Sequence, residues 1–162
     1  MGLRNVLVDG LSGTGKTTVA EELARRGHHV VHGDRSLALR TDPETGEPTA
    51  TGEFDSPLWD ERAVRAIAAD RSRPTTYFCG GSRNHGRLRD VFDVVLVLQV
   101  SLRTLDRRLD ARSAEDWGGD GPTPRALIHR WHSTGEGLAV GVPIDADRPL
   151  DEVVEEILRR SR

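Results

Sequence analysis

The feature that most constrains how this chain can fold is a glycine-rich turn between an apolar strand and a helix. Residues 10–17 read G-L-S-G-T-G-K-T and fit the pattern G-x-x-x-x-G-K-[ST] at every fixed position. Residues 5–9 before it are a strand candidate, and residues 17–26 after it have helical composition. A turn in this context points backbone N–H groups and a helix N-terminus at a phosphate group. The sequence therefore predicts a triphosphate-binding loop.

Within this loop the side chains have distinct predicted roles. Lys16 is the one lysine among 23 basic residues, and we expect it to reach the β- and γ-phosphates. The hydroxyl of Thr17 is expected to bind Mg²⁺. The nucleotide-binding residues predicted here are Gly10, Ser12, Gly13, Thr14, Gly15, Lys16, Thr17 and Thr18.

Apolar strands alternate with helices along the whole chain. Strands are predicted at residues 5–9, 29–32, 75–79, 93–100 and 142–145. Helices are predicted at residues 17–26, 59–70, 102–112, 125–137 and 149–160. This alternation predicts an α/β fold with three layers and a five-stranded parallel sheet, in a single domain over residues 1–162. Together with the glycine-rich turn at residues 10–17, it resembles the fold of P-loop NTPases.

Two segments interrupt this pattern. Residues 41–57 hold three prolines, two glycines and four threonines, so we expect a long loop or partly ordered insert within about residues 35–60. Residues 117–124 hold three glycines and two prolines. We expect a small mobile lid over about residues 108–124.

Composition excludes several classes of protein. A net charge of −3 provides no basic field for nucleic acid, and Cys79, the one cysteine, excludes a disulfide framework or a multi-cysteine metal site. The longest apolar run, residues 94–98, is too short to cross a bilayer, and residues 1–4 lack the organisation of a signal peptide. The expected compartment is the cytoplasm.

The ends of the third and fourth strands argue against motor and signalling NTPases. Those proteins need a second carboxylate for the magnesium shell, but these strands end in Cys79-Gly80-Gly81 and Gln99-Val100. With one lysine, the chain also has no N-K-x-D motif for reading guanine.

Four further features carry a resemblance to a known group. They are Asp34 after the second strand, the pair Gly80-Gly81 after the third, the pattern R-L-x-x-R over residues 108–112, and the loop at residues 144–150. With the glycine-rich turn, they resemble the P-loop small-molecule kinases of the shikimate kinase, gluconate kinase and adenylate kinase group.

That resemblance implies a kinase that uses ATP and Mg²⁺. Asp34 would act as a base or orienting group on the acceptor hydroxyl and would also lie near the magnesium ion. Arg108 and Arg112 would share the charge on the transferred phosphoryl group, with Arg107 as an alternative to Arg108. Asp147 and Arg148 would lie beside the adenine.

The side of the site that would bind the phosphoryl acceptor, to which we assign the insert at about residues 35–60, is less defined by the sequence. Gly80, Gly81 and Arg62 are predicted to contact the acceptor. Arg83 and Arg87 either hold an anionic group of the acceptor or pair with nearby acids such as Asp90. Trp59, with Phe54, either stacks on a ring of a ligand or packs in the core and insert.

The sequence thus predicts catalytic roles for Lys16, Asp34, Arg108 and Arg112, in transfer of the γ-phosphoryl group of ATP to a small metabolite. A nucleoside or nucleotide, a sugar or sugar acid, and an antibiotic-like alcohol all remain open as acceptors, and so does the choice between hydroxyl and phosphate. A regulatory protein that uses ATP occupancy as a switch is the alternative. Beyond ATP and the acceptor we expect no nucleic acid or membrane partner, and a monomer or homodimer.

Overall fold

A computed structural model describes residues 3–11, 13–42, 44–45, 47–49, 53–111, 122–135 and 138–162, with the backbone alone at 53–57 and 122–124. The strands are β1 (Arg4–Gly10), β2 (His29–His32), β3 (Ala38–Thr41), β4 (Glu53–Trp59), β5 (Thr75–Cys79), β6 (Val94–Gln99) and β7 (Val142–Asp145). The helices are α1 (Lys16–Arg25), α2 (Gly33–Ser36), α3 (Glu61–Ala69), α4 (Leu102–Asp110), α5 (Pro122–Thr134) and α6 (Leu150–Arg160), with a 3-10 helix at His85–Val91.

Five of these strands form one parallel sheet in the order β2-β5-β1-β6-β7. The most apolar strands, β1 and β6, lie next to each other inside the sheet, where both faces are covered. The predicted five-stranded parallel sheet is confirmed.

Helices cover both faces of this sheet and so form three layers. On one face, Val19 and Leu23 of α1 and Ile157 of α6 pack into a buried cluster with β1 and β6. On the other face, Val64 of α3 packs in a second cluster with Phe78 and Leu88. Because the strands are parallel, the loops after β1, β2 and β5 all lie at the carboxyl edge of the sheet, where open α/β folds bind ligands.

The predicted long loop at residues 41–57 contains regular structure. β3 and β4 pair as an antiparallel two-stranded sheet, and β4 extends to Trp59. Trp59 was therefore wrongly predicted as the start of a helix. The side chain of Asp60 accepts hydrogen bonds from the N–H groups of Arg62 and Ala63 and so begins α3 at Glu61.

Within the described part of the chain, every helix is too short or too polar to cross a membrane.

Candidate active site

The glycine-rich turn wraps the N-terminus of α1. Gly13 and Gly15 have φ angles of 87° and 98°, in the left-handed region that favours glycine. Gly15 occupies the N-cap of α1 and, among the described residues, no side chain caps this helix. The start of α1 therefore presents backbone N–H donors that lack intrahelical partners, with the positive end of the helix dipole behind them, as an anion site requires.

Lys16 lies across this turn. Its Nζ donates hydrogen bonds to the carbonyl oxygens of Gly10 and Leu11, the latter at 3.1 Å. These contacts fold the ammonium group back over the loop, so the cation is held where phosphate oxygens would bind.

A cavity of about 450 Å³ opens in front of the loop, within the range usual for small-ligand sites. Asp34 of α2 and Arg108 of α4 line it. The other lining residues are Gly13, Thr14, Gly15, Lys16, Thr17, Thr18, Val19, Ala146, Arg148, Leu150 and Val153. The fold therefore brings most of the predicted nucleotide-binding residues to one cavity.

Arg108 bridges two walls of this cavity. Its guanidinium donates to the carbonyl oxygens of Gly13 and Ala146, each at 3.1 Å. Burial lowers the pKa of Arg108 from its ordinary value, and the charge of Arg107 acts in the same direction. Arg107 itself is exposed, so the described structure favours Arg108 as the arginine that faces the ligand. Arg112 and Ser12 lie outside the described residues.

Asp34 lies in α2, directly after β2, and faces the cavity. Burial raises the pKa of its carboxyl group above the ordinary value. The positive charge of Lys16 opposes this shift, and the negative charge of Asp9 adds to it. A carboxylate with a raised pKa, beside a lysine in a cavity, is suited to accept a proton.

The two glycines after β5 lie against carboxylates. A Cβ atom on Gly80 would lie 3.1 Å from Oδ1 of Asp34, and one on Gly81 would lie 3.1 Å from Oδ1 of Asp9. Glycine at these two positions therefore allows the β5 loop to approach both acidic groups.

Asp9, at the end of β1, was missed by the sequence reasoning. It is 2% exposed, and its oxygens accept hydrogen bonds from the N–H groups of Gly10 at 2.7 Å and Ala139 at 2.9 Å. The signal was present, because an aspartate at the end of an apolar strand is costly unless it is paired. Its partner, Ala139, is remote in sequence.

The two residues predicted to lie beside the adenine, Asp147 and Arg148, both bond to neighbouring side chains or backbone groups. The carboxylate of Asp147 accepts from the N–H and Oγ of Ser101 at the start of α4, and its pKa lies below the ordinary value, chiefly through a hydrogen bond with Thr104. Arg148 lines the cavity and forms an ion pair with Glu152 at 2.9 Å.

The predicted acceptor-side arginines Arg62, Arg83 and Arg87 are exposed. Arg87 forms an ion pair with Glu61 at 3.5 Å, whereas Asp90 binds Arg65 at 2.8 Å. Pairing of Arg87 with an acid was one of the two predicted outcomes, although the partner differs. Whether these arginines also contact an acceptor stays a prediction.

Residues 6–120, which include the glycine-rich turn, Asp34 and Arg108, match the model of a family described as an AAA domain. The chain belongs to this AAA domain family.

Solved structures similar to this AAA domain include several kinases. An unliganded sugar kinase from Janibacter sp. HTCC2649 is 27% identical, with a TM-score of 0.59, over 98% of this chain and 94% of that one. A gluconokinase from Sinorhizobium meliloti 1021 is 23% identical, with a TM-score of 0.56, over 96% and 90%. A shikimate kinase from Bacteroides thetaiotaomicron is 15% identical, with a TM-score of 0.63, over 96% and 97%. No curated protein matches the chain in sequence.

These similarities confirm the P-loop fold of the AAA domain and its resemblance to P-loop small-molecule kinases. They support a phosphotransferase. The role of each site residue stays a prediction.

The oxygen groups at the cavity fit a magnesium ion. Thr17 and Asp34 both line it, and hydroxyl and carboxylate oxygens are ligands that Mg²⁺ accepts. Among the described residues there is no cluster of three histidine, cysteine or acidic side chains that could hold a metal.

Proposed function

We propose that this AAA domain is an ATP-dependent kinase that transfers the γ-phosphoryl group to a hydroxyl group of a small metabolite. One observation carries the proposal: Lys16, the start of α1 and the carboxylate of Asp34 meet at a single cavity. A phosphate-binding end and a proton-accepting group are the two parts that phosphoryl transfer to a hydroxyl requires.

In the proposed mechanism, the open N–H groups of α1 and the ammonium of Lys16 bind the phosphates of ATP. Arg108 exchanges its bonds to the carbonyl oxygens of Gly13 and Ala146 for contacts with the nucleotide. Thr17 and Asp34 would hold Mg²⁺, which neutralises negative charge on the phosphates when bound. These groups stabilise charge that spreads over the phosphoryl oxygens during transfer.

Asp34 then orients the acceptor hydroxyl and takes its proton. The acceptor oxygen forms a bond to the γ-phosphorus, and the bond from that phosphorus to the β–γ bridging oxygen breaks. The products are the phosphorylated acceptor and ADP, and the proton on Asp34 passes to water. The raised pKa of Asp34 supports this role, because proton acceptance is most effective when the pKa lies closer to the working pH.

A hydroxyl acceptor is favoured over a phosphate acceptor by the charges on the acceptor side. Asp34 and the buried Asp9 both lie against the Gly80-Gly81 loop, and two carboxylates repel a phosphate group. The similarity to a sugar kinase and a gluconokinase agrees with a hydroxyl acceptor. A regulatory switch would need no carboxylate at this position and is less well supported.

ATP consumption against pooled nucleosides, sugars and aminoglycoside-like alcohols tests the proposal. At least one pool should consume ATP in stoichiometric amounts, and Lys16→Ala and Asp34→Asn should remove that activity. Nucleotide binding without consumption in any pool would favour the regulatory alternative. A cytoplasmic location and a monomeric or homodimeric state stay predictions.

A further inference from the structure

The loop at residues 146–148, directly after β7, forms part of the cavity wall. Of its three described residues, Ala146 and Arg148 line the cavity, whereas Asp147 between them does not. The exposed carboxylate of Asp147 is bonded instead to the start of α4. The role of Asp147 therefore follows from the two elements that it joins.

Three donors converge on the carboxylate of Asp147. The N–H group of Ser101 donates to both of its oxygens, each at 3.1 Å, and the hydroxyl of Ser101 donates to Oδ1 at 3.3 Å. The side chain of Thr104 also forms a hydrogen bond with Asp147, which is the main reason that the pKa of this carboxyl group lies below its ordinary value. The carboxylate is therefore bound to the first turn of α4.

Ser101 is the residue that begins this helix. It occupies the N-cap of α4, and its Oγ accepts a hydrogen bond from the N–H group of Thr104 at 3.2 Å. A negative charge beside a helix N-terminus is also favoured by the helix dipole. The bonds to Asp147 thus fix the start of α4 relative to the loop at residues 146–148.

The same helix contacts this loop a second time, through Arg108. The guanidinium of Arg108 donates to the carbonyl oxygen of Ala146, the residue before Asp147, and to that of Gly13 in the glycine-rich turn. Long side chains on a helix point back towards its N-terminus, so Arg108 reaches the loop that holds the start of its own helix. The loop and α4 are therefore joined at two points, and Arg108 connects both to the glycine-rich turn.

We infer that Asp147 is a positioning residue for the nucleotide site. By holding the start of α4 against the loop at residues 146–148, it places the guanidinium of Arg108 between Gly13 and Ala146. The inference rests on the proposed function, in which Arg108 exchanges these carbonyl contacts for contacts with the nucleotide. A guanidinium that is already held at the cavity loses less conformational freedom on binding, so the affinity for the nucleotide is higher.

Calorimetry with a non-hydrolysable ATP analogue tests the inference without turnover. Asp147→Ala should weaken binding about fivefold and Arg108→Ala about tenfold, the scale of one charge-assisted hydrogen bond. Because Asp147 acts through Arg108, the double variant should bind about tenfold more weakly than the wild type, whereas independent residues would give about fiftyfold. An additive loss would overturn the inference.

A conservative variant separates position from charge. Asp147→Asn keeps an oxygen that accepts from the N–H group of Ser101, so its affinity for the analogue should return to within about twofold of the wild type. If Asp147→Asn binds as weakly as Asp147→Ala, Asp147 acts by its charge and the inference is overturned. Asp151→Ala is the matched control, an exposed aspartate in the first turn of α6, and should bind like the wild type.

A purely structural role predicts a different result. Asp147→Ala would then lower the unfolding temperature but leave the Kd of the analogue unchanged, which overturns the inference. If Asp147→Ala does not fold, Thr104→Val replaces it, because that variant removes the hydroxyl bonded to Asp147 and keeps the shape of the side chain. Thr104→Val should then weaken binding in the wild type but not in Arg108→Ala, and an equal loss in both would overturn the inference.

The outcome for the kinase function is separate. Non-additive binding without ATP consumption in any acceptor pool would leave the inference standing and remove the kinase function. ATP consumption together with additive losses in binding would do the reverse.

Discussion

The two sides of the cavity are assembled in different ways. The nucleotide side comes mainly from one continuous stretch, residues 13–19, to which Arg108 of α4 and residues from the segment 146–153 are added. The proposed acceptor side comes from separate parts of the chain: Asp34, which lines the cavity, and the Gly80-Gly81 loop, which lies against Asp34, Asp9 and Trp59. A continuous motif fixes its own geometry locally, whereas the acceptor side exists only once the sheet and the β3–β4 hairpin have formed.

The largest effect is expected on the nucleotide side, at Lys16. Lys16→Ala should lower phosphoryl transfer about a thousandfold, because it removes a charge that stabilises the transferred group. Steady-state turnover and circular dichroism measure activity and fold together. Arg25→Ala is the control, since it removes an exposed cation from the other end of α1. Near-full turnover in Lys16→Ala would show that the nucleotide does not bind at this loop.

On the acceptor side, Asp34→Asn should lower the acceptor-dependent rate about a hundredfold and change ATP affinity little. The same variant should be more stable than the wild type at neutral pH. The folded protein raises the pKa of Asp34, so the wild type loses stability as the pH rises from the ordinary value towards the raised one. Asparagine carries no such penalty.

Thermal unfolding as a function of pH measures this effect. Asp90→Asn is a control whose stability should change in the opposite direction, because the hydrogen bond from Arg65 holds the pKa of Asp90 below its ordinary value. That variant should lose stability at neutral pH. If Asp34→Asn is less stable than the wild type there, Asp34 is a structural carboxylate and not a poised base.

Gly33→Ala tests how tightly the acceptor side is packed. The new methyl group would overlap the indole of Trp59, so we expect a loss of about 1–3 kcal/mol in the free energy of unfolding. Urea denaturation measures it. Gly86→Ala is the control, because a Cβ atom there meets nothing within 4 Å. Equal stability of the two variants would show that the indole of Trp59 is not packed against α2 at Gly33.

Arg108→Ala and Arg107→Ala together test which of these two arginines of α4 contacts the nucleotide. Loss of a charge-assisted contact should weaken ATP binding about tenfold, as measured by calorimetry with a non-hydrolysable analogue. Arg107→Ala should have little effect, because Arg107 is exposed. The opposite ranking would assign the nucleotide contact to Arg107.

The smallest effect is expected at Arg87. Its ion pair with Glu61 is on the surface, with 79% of the arginine side chain exposed, so Arg87→Ala should change the free energy of unfolding by less than about 0.5 kcal/mol. The KM for the acceptor should also stay constant. A large rise in that KM would restore the interpretation of Arg87 as an acceptor ligand.

The five sheet strands and the nucleotide loop could be predicted because their signals are local. Short apolar runs define β1, β5 and β6, glycine follows the runs of β1 and β5, and the spacing from Gly10 to Thr17 fixes the loop. Asp34 could be placed because it directly follows β2 and therefore lies at the carboxyl edge.

The acceptor side could not be predicted to the same depth, because its contacts join distant residues. The stretch rich in proline and threonine concealed β4, whose pairing with β3 depends on tertiary context. Asp9 bonds to Ala139, and the backbone of Trp59 bonds to Asn84. Neither partner is marked by a sequence pattern. Asp60, like Asp9, carried a signal that was not used, since an aspartate before a helical run commonly caps it.

The uncapped start of α1 links the abundance of the folded protein to its surroundings. An anion that binds those N–H groups stabilises the folded state alone, by about 2.7 kcal/mol when its concentration is a hundred times its Kd. Under the proposed function, a purified sample without nucleotide, phosphate or sulfate would therefore be in its least stable form. In a cell, the fraction that proteases can degrade would rise as the nucleotide pool falls, so the lifetime of the protein would follow the energy supply.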